Sequence, residues 1–255
     1  MLQITPISAF ADNYIWVCYL PDSQFCLVVD PGDASVVQHF LQQNGKTLGA
    51  ILITHHHNDH IGGLAALRQA YPTARVIGPA AEAWRISGLT EQVNHGDAVF
   101  IPELNLQFTV MAVPGHTLGH IAFYAAPALF CGDTLFSVGC GRLFEGSPLQ
   151  MWQSLQQLMS LPDNTLIYCS HEYTQANIRF ALTIEPDNQA LIDYAEKCAL
   201  LRKTGQATLP AMLATEKAVN PFLRSDNSKL QQQLQQNSAL ALFTTLRLAK
   251  DSFNG

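Results

Sequence analysis

Short apolar runs that end in polar clusters set the rhythm of the first two-thirds of the chain: QFCLVVDPGD, AILITHHH, ARVIGP, LQFTVMAVPGH, IAFYAAPALFCGD and TLIYCSHEY. In LNLQFTV the apolar residues Leu104, Leu106, Phe108 and Val110 keep a period of two, which predicts a strand with one buried face. CLVV, AILI and TLIY are apolar throughout, as strands covered on both faces are. Between the runs lie helical patterns. DASVVQHFLQQNG has Asp33 as N-cap and Gly45 as its stop, GLAALRQAYP follows, and SPLQMWQSLQQLMSLP opens with Ser147 and Pro148.

From about Tyr173 the strand signal fades and helical periodicity takes over, in ANIRFALTI, QALIDYAEKCALLRKTG and SKLQQQLQQNSALALFTTLRLAKDSF. The glutamine-rich stretch resembles low complexity, yet Leu230, Leu234, Leu240, Leu242 and Leu246 read as one buried stripe broken near Asn237 and Ser238. The pattern predicts a mixed α/β domain followed by a helical one, with the boundary near residue 172 and no tandem repeats.

Composition narrows the picture. At 255 residues and 48% hydrophobic the chain can bury a sizeable core. A net charge of −6 with only 14 Lys and Arg argues against a nucleic-acid surface, so an anionic substrate would have to be met by a few placed cations. No apolar run reaches bilayer-spanning length and no basic-then-apolar leader is present, so no membrane partner and a cytoplasmic location are expected. Six cysteines without a C-x-x-C pair, four of them in apolar strand-like runs, read as reduced core thiols. A monomer is expected.

One stretch departs from this pattern. LITHHHNDHIGG places His55, His56, His57, Asp59 and His60 directly behind an apolar run. Lone histidines mostly need no role, but His-x-His-x-Asp-His is a pattern for metal ligation. In an extended segment His55 and His57 point to one side and can meet one ion. Asp59 and His60, past the turn, would face a second. Further donors stand after other strand ends: His116 in VPGHTLGH, Asp133 in FCGDTLF and His171 in IYCSHEYT. The count gives His55, His57 and His116 for one ion and Asp59, His60 and His171 for the other, with Asp133 bridging through its two oxygens. A position left open marks a catalytic rather than a structural site, so Asp59 and Asp133 are also candidate catalytic groups. His56 and His120 read as hydrogen-bond partners of ligands, Asp30 as a ligand orienter or a turn former, and His39 as a helix-surface residue without a role.

These residues carry a resemblance to the metallo-β-lactamase-fold hydrolases. GDTLFSVGCGRLFEG, HEYTQANIRFA, NPFLR and RLAKDSF narrow it to the glyoxalase II (hydroxyacylglutathione hydrolase) family, over nearly the whole chain. The resemblance implies an αββα sandwich as catalytic domain (1–172) and a smaller all-helical substrate-binding domain (173–255). It also implies hydrolysis of the thioester of an S-(2-hydroxyacyl)glutathione, typically S-lactoylglutathione in methylglyoxal detoxification, with two divalent ions per chain. Zinc is the expected occupant, although iron and manganese suit the same ligand types. Carried over by motif, the glutathione contacts fall on Arg142, Phe144, Tyr173, Arg247 and Lys250. Arg142 and Phe144 stand where eukaryotic members have Lys and Tyr, and Phe144 has no hydroxyl to donate. The alternative reading is a lactonase or broader thioesterase on the same metal site.

Overall fold

The runs that are apolar throughout become strands in the computed structural model, which describes residues 2–253 and 255. β3 (Phe25–Val29), β4 (Thr47–Leu52), β5 (Arg75–Pro79) and β6 (Glu91–Val93) are parallel neighbours. β1 (Gln3–Ala9) and β2 (Asn13–Tyr19) extend them by antiparallel pairing into a six-stranded sheet. That hairpin occupies an N-terminal segment for which the apolar pattern predicts no element.

Against this sheet pack α1 (Ala34–Gln43) and α3 (Leu64–Ala70), and the single turn α2 (Asn58–Ile61) lies between β4 and α3 in the chain. Their shared core includes Val28, Val37, Leu41, Ile51, Leu67 and Val76. Asp33 caps α1 as expected, its Oδ1 accepting from Ser35 N at 2.8 Å. Gly45, just past the C-cap, takes the left-handed conformation that stops the helix.

β7 (Ala98–Ile101), β8 (Leu106–Ala112), β9 (Ile121–Ala125) and β10 (Ala128–Gly132) form an antiparallel series. Two expectations shift here. Leu104 lies in a 3-10 turn ended by Asn105 at φ 48°, so the period-two strand begins at Leu106 and buries Phe108 and Val110. IAFYAAPALFCGD is a hairpin rather than one strand, because Pro127 has no N–H with which to continue the ladder.

Backbone contacts group the chain into two compact units, Met1–Ala112 with Gly119–Gly132 and Val113–Leu118 with Asp133–Gly255. The second unit begins with the short hairpin β11 (Leu135–Phe136) and β12 (Gly139–Cys140), followed by α4 (Pro148–Met159) and β13 (Leu166–Cys169). Ser147 and Gln150 form a reciprocal capping box on α4. α5 (Thr174–Ile184), α6 (Gln189–Lys203), β14 (Ala211–Met212), α7 (Leu213–Val219), α8 (Ser228–Gln233) and α9 (Ala239–Asp251) complete it. The strand β14, within the stretch expected to be purely helical, pairs antiparallel with β13. The glutamine-rich segment divides as expected, Ser238 capping α9 and Leu230, Leu242 and Leu246 being buried. All six cysteines are free and buried, and burial pushes the Cys26 thiol up to about 12. Among the described residues no helix is long and apolar enough to cross a membrane.

Candidate metal centre

In the first unit the ligand-rich segment leaves β4 and folds over the turn that follows β3. Gly63 makes the close approach possible: its N–H donates to Pro31 O at 2.9 Å, and a Cβ there would lie 2.4 Å from the same oxygen. The approach brings Asp30, held at φ 52°, against the histidines. Its Oδ1 accepts from Thr54 N at 2.8 Å, and its Oδ2 accepts from Thr54 Oγ1 at 2.7 Å and faces His60 Nδ1 at 3.1 Å. With the Thr54 hydroxyl hydrogen given to Asp30, Thr54 Oγ1 accepts from His55 Nδ1 at 3.0 Å. The Thr54 bond sets the His55 tautomer and leaves its Nε2 lone pair for a cation, and the Asp30 carboxylate facing His60 Nδ1 favours the same tautomer there. His55 Nε2 lies 3.1 Å from His57 Nδ1, and His60 Nε2 lies 3.3 Å from Asp59 Oδ2. Asp30 therefore does more than form a turn: it anchors Thr54 and faces a candidate ligand.

His56 turns the other way. Its backbone N–H and Nδ1 both meet Glu82 Oε2, at 2.7 and 2.9 Å, and its Nε2 meets Arg85. His120 is fully buried and stacks on His55 at 4.5 Å. His56→Ala should accordingly leave the bound metal near wild-type content while His55→Ala loses it, as read by elemental analysis. Equal metal loss in the two variants would mean that the alternation along 55–57 is misassigned.

In the second unit the donors gather around the β11–β12 hairpin. The loop carrying His116 is stitched to the chain beyond the hairpin: Phe144 N and Glu145 N reach His116 O at 3.3 Å, and Leu118 N donates to Glu145 Oε2 at 2.9 Å. His116 Nδ1 donates to Arg142 O at 2.8 Å, which again leaves ligation to Nε2. Asp133 Oδ2 stands 3.4 Å from His116 Nε2 and 3.3 Å from His171 Nε2, all three side chains being more than nine-tenths buried. Two imidazole nitrogens facing one buried carboxylate oxygen suit a divalent cation. The donor chemistry of both units thus fits the metal that the pattern calls for.

The remaining candidates also lie in the second unit. Tyr173 stacks on His171 with ring centroids 4.6 Å apart and planes 3° from parallel. Phe144 is 61% exposed, with its ring edge near His116. Arg142 is exposed, its Nε 3.4 Å from Asp251 Oδ1. Arg247 is buried instead: it donates to Cys140 O at 2.8 Å and to Asp251 Oδ1 at 2.8 and 3.1 Å. Lys250 lies over Phe180 and Phe253. Burial first, and then the charges of Arg247, Arg179 and Arg142, hold its ammonium below the usual lysine range.

Sequence reasoning missed Arg179, Asn13 and Glu82. Arg179, on α5, adds a cation to this group and stands inside the HEYTQANIRFA motif, where the tyrosine is the more conspicuous residue. Asn13 Nδ2 donates to Asp59 Oδ2 at 3.0 Å from the start of β2, 46 residues away in the chain and without any local signal.

Residues 10–171 match the family model described as the metallo-beta-lactamase superfamily, and residues 172–253 the one described as the hydroxyacylglutathione hydrolase C-terminus. The hydroxyacylglutathione hydrolase of Photobacterium profundum is 49% identical over 257 residues, covering 99% of this chain and 100% of the relative. That of Shewanella baltica is 50% identical over 269 residues, with 99% and 100% covered. Among solved structures, ETHE1 from Myxococcus xanthus is similar at a TM-score of 0.67 and 25% identity, covering 98% of each chain.

Proposed function

The chain belongs to the hydroxyacylglutathione hydrolases of the metallo-β-lactamase superfamily, an αββα catalytic fold with a helical C-terminal domain, and it is a thioester hydrolase. From that premise we infer that its seven ligand candidates hold two cations and that its substrate is an S-(2-hydroxyacyl)glutathione, S-lactoylglutathione first among them. In this reading His55, His57 and His116 take one ion, Asp59, His60 and His171 the other, and Asp133 serves both. Zinc is the occupant we expect. Residues 1–172 act as the catalytic domain and 173–255 as the substrate-binding one, in a monomer whose free buried thiols suit a reducing cytoplasm.

When bound, divalent cations supply a water of lowered pKa and polarise the carbonyl under attack. The chain's own residues do the rest. Thr54 keeps His55 in the ligating tautomer and the Arg142 carbonyl does the same for His116, while the Asp30 carboxylate faces His60 Nδ1. Asp59, with its side chain 39% exposed, would accept the proton of the attacking water. The departing thiolate is a weak base beside an alkoxide or amide nitrogen, so no protein acid is needed at sulfur.

The observation that carries the choice of substrate is the group of accessible cations Arg142, Arg179 and Lys250, gathered beside the buried Arg247 in a chain of net charge −6. Glutathione presents two carboxylates to it, and a neutral thioester or lactone presents none. Relative kcat/KM on S-lactoylglutathione and on an acyl-homoserine lactone tests this directly. A preference for the lactone would overturn the substrate assignment while leaving the metal site intact.

Tyr173 gives a finer test. If its hydroxyl contacts glutathione, Tyr173→Phe raises KM by the worth of one hydrogen bond, about 1 kcal/mol or roughly fivefold, without metal loss. Unchanged KM with a lower melting temperature would leave the ring as a packing element against His171 and Phe136.

A further inference from the structure

The β11–β12 hairpin is where the second unit's half of the chemistry is assembled. At its open end Gly141 N donates to Thr134 O at 3.0 Å, which brings the ligand Asp133 beside Arg142, whose carbonyl orients His116. On its flank the Phe136 ring meets His171 and Tyr173 edge-on, at 5.8 and 5.2 Å. Its closed end is the two-residue turn Ser137–Val138. Val138 takes φ 57°, a left-handed conformation that a β-branched side chain avoids unless its surroundings impose it.

What imposes it is a buried carboxylate on α7. Glu216 is fully buried; its Oε1 accepts from Ser137 Oγ at 2.8 Å and its Oε2 from Val138 N at 2.7 Å. Asn220, one turn on, divides its amide hydrogens among Glu216 Oε2, Phe136 O and Gly139 O at 3.0 to 3.2 Å. Asn177 of α5 donates to Ser137 O at 3.0 Å, and the hydroxyl of Tyr194, on α6, lies 2.9 Å from Ser137 Oγ. The Val138 side chain sits in the apolar cluster of Ile178, Ala181, Leu191 and Val219. Three helices of the C-terminal segment therefore hold one turn.

A buried carboxylate is a costly way to hold a turn, and an apolar residue would fill the same space. What it adds is two fixed acceptors that set the place of both turn residues. We propose that Glu216 is a positioning residue for the hydrolase: by fixing the Ser137–Val138 turn it sets where Asp133, the Arg142 carbonyl and Phe136 stand, and so the affinity for metal and the rate of the reaction. The inference rests on the functional reading above, but its metal readout does not need the substrate.

Burial is the main reason that the Glu216 carboxyl is pushed up to about 7, against the opposing bonds from Val138, Ser137 and Asn220. The titratable groups facing it are Tyr194 and Cys198 of α6, both themselves pushed up mainly by burial. The sign follows from linkage. The raised acid favours the protonated fold, so its contribution is complete below the carboxylate range of the unfolded chain, about pH 4.5. It is lost as pH rises from there to about 7 and is level above.

The experiment compares wild type, Glu216→Gln, Glu216→Ala and Ser137→Ala, at a temperature where circular dichroism shows each folded. Metal retention against a chelator, kcat and KM on S-lactoylglutathione, and melting temperature from pH 4.5 to 8 are measured. Gln keeps one acceptor for Val138 N and Asn220 and can donate to Ser137 Oγ, whose hydroxyl rotates, so E216Q should stay within about threefold of wild type in metal retention and kcat. It should also lose the wild-type decline in melting temperature between pH 4.5 and 7. Folded E216A should release metal about tenfold more readily and lose tenfold or more in kcat, with S137A following by about threefold. Wild-type metal retention and kcat in folded E216A overturn the proposal and leave Glu216 a stabilising group only. If E216A does not fold, folded S137A decides by the same two readouts. If wild type fails to turn over the glutathione thioester, the substrate reading falls, and chelator competition still judges Glu216.

Discussion

Asp133→Ala should remove binuclear binding and reduce kcat/KM by about a thousandfold or more, equivalent to about 4 kcal/mol of transition-state stabilisation. The side chain is almost fully buried and its Oδ2 faces the Nε2 atoms of both His116 and His171. Imidazole offers a single lone pair to one ion, whereas a carboxylate can offer an oxygen to each of two, so no neighbour replaces it. Its removal also leaves two buried nitrogens without their anionic partner. Asp133→Asn keeps the volume and one carbonyl oxygen, and should retain more metal than Asp133→Ala while remaining far below wild type in rate. Elemental analysis with steady-state kinetics reads both effects, and near-normal turnover with two metals bound would sink the bridging role.

Arg247→Ala should lower stability by about 2 to 4 kcal/mol, or roughly 5 to 12 °C in Tm for a chain of this size. The guanidinium is buried, closes Cys140 O at the end of β12, pairs with Asp251 one turn along α9 and lies 5.3 Å from the Phe222 ring. Truncation leaves a buried carbonyl unsatisfied and Asp251 without its close cation. Lys250→Ala should behave differently. That ammonium is half-buried over two aromatic rings, and its loss should raise KM for glutathione thioesters severalfold while changing Tm by little more than a degree or two. A double variant would merge these effects, so the single variants are measured side by side with thermal melts and with a small uncharged thioester as control substrate. Equal loss on both substrates in Lys250→Ala would place the glutathione carboxylates elsewhere.

Several site residues were legible because short-range rules govern them. The spacing of His55, His57, Asp59 and His60 needs only an extended segment followed by one helical turn, and that is what β4 and α2 provide. The caps at Asp33 and Ser147 are likewise local, each side chain bonding a backbone N–H two or three residues on. Asn13 and Glu82 were not legible, because each meets the ligand segment through a fold that brings together residues tens of positions apart. Arg247 shows the same limit from the other side. The motif places it with Lys250 as a glutathione contact, yet one is buried against Cys140 and Asp251 and the other lies over Phe180 and Phe253.

By itself the sequence determined the alternation of strands and helices and the family, and it supplied the candidate ligands, since hydrophobic period, capping chemistry and ligand spacing all act within a few residues. Tertiary structure alone decided which nitrogen of His55 and of His116 is left for a metal. Thr54, held by Asp30, and the Arg142 carbonyl choose the tautomers, and they come within hydrogen-bond reach only once strand ends and loops are packed. It also decided the role of Glu216, an ordinary acid in ATEKAV until α7 is buried beside the Ser137–Val138 turn. The physical reason is common to both. The energy of a buried polar group depends on partners brought from distant parts of the chain, and no local pattern records them.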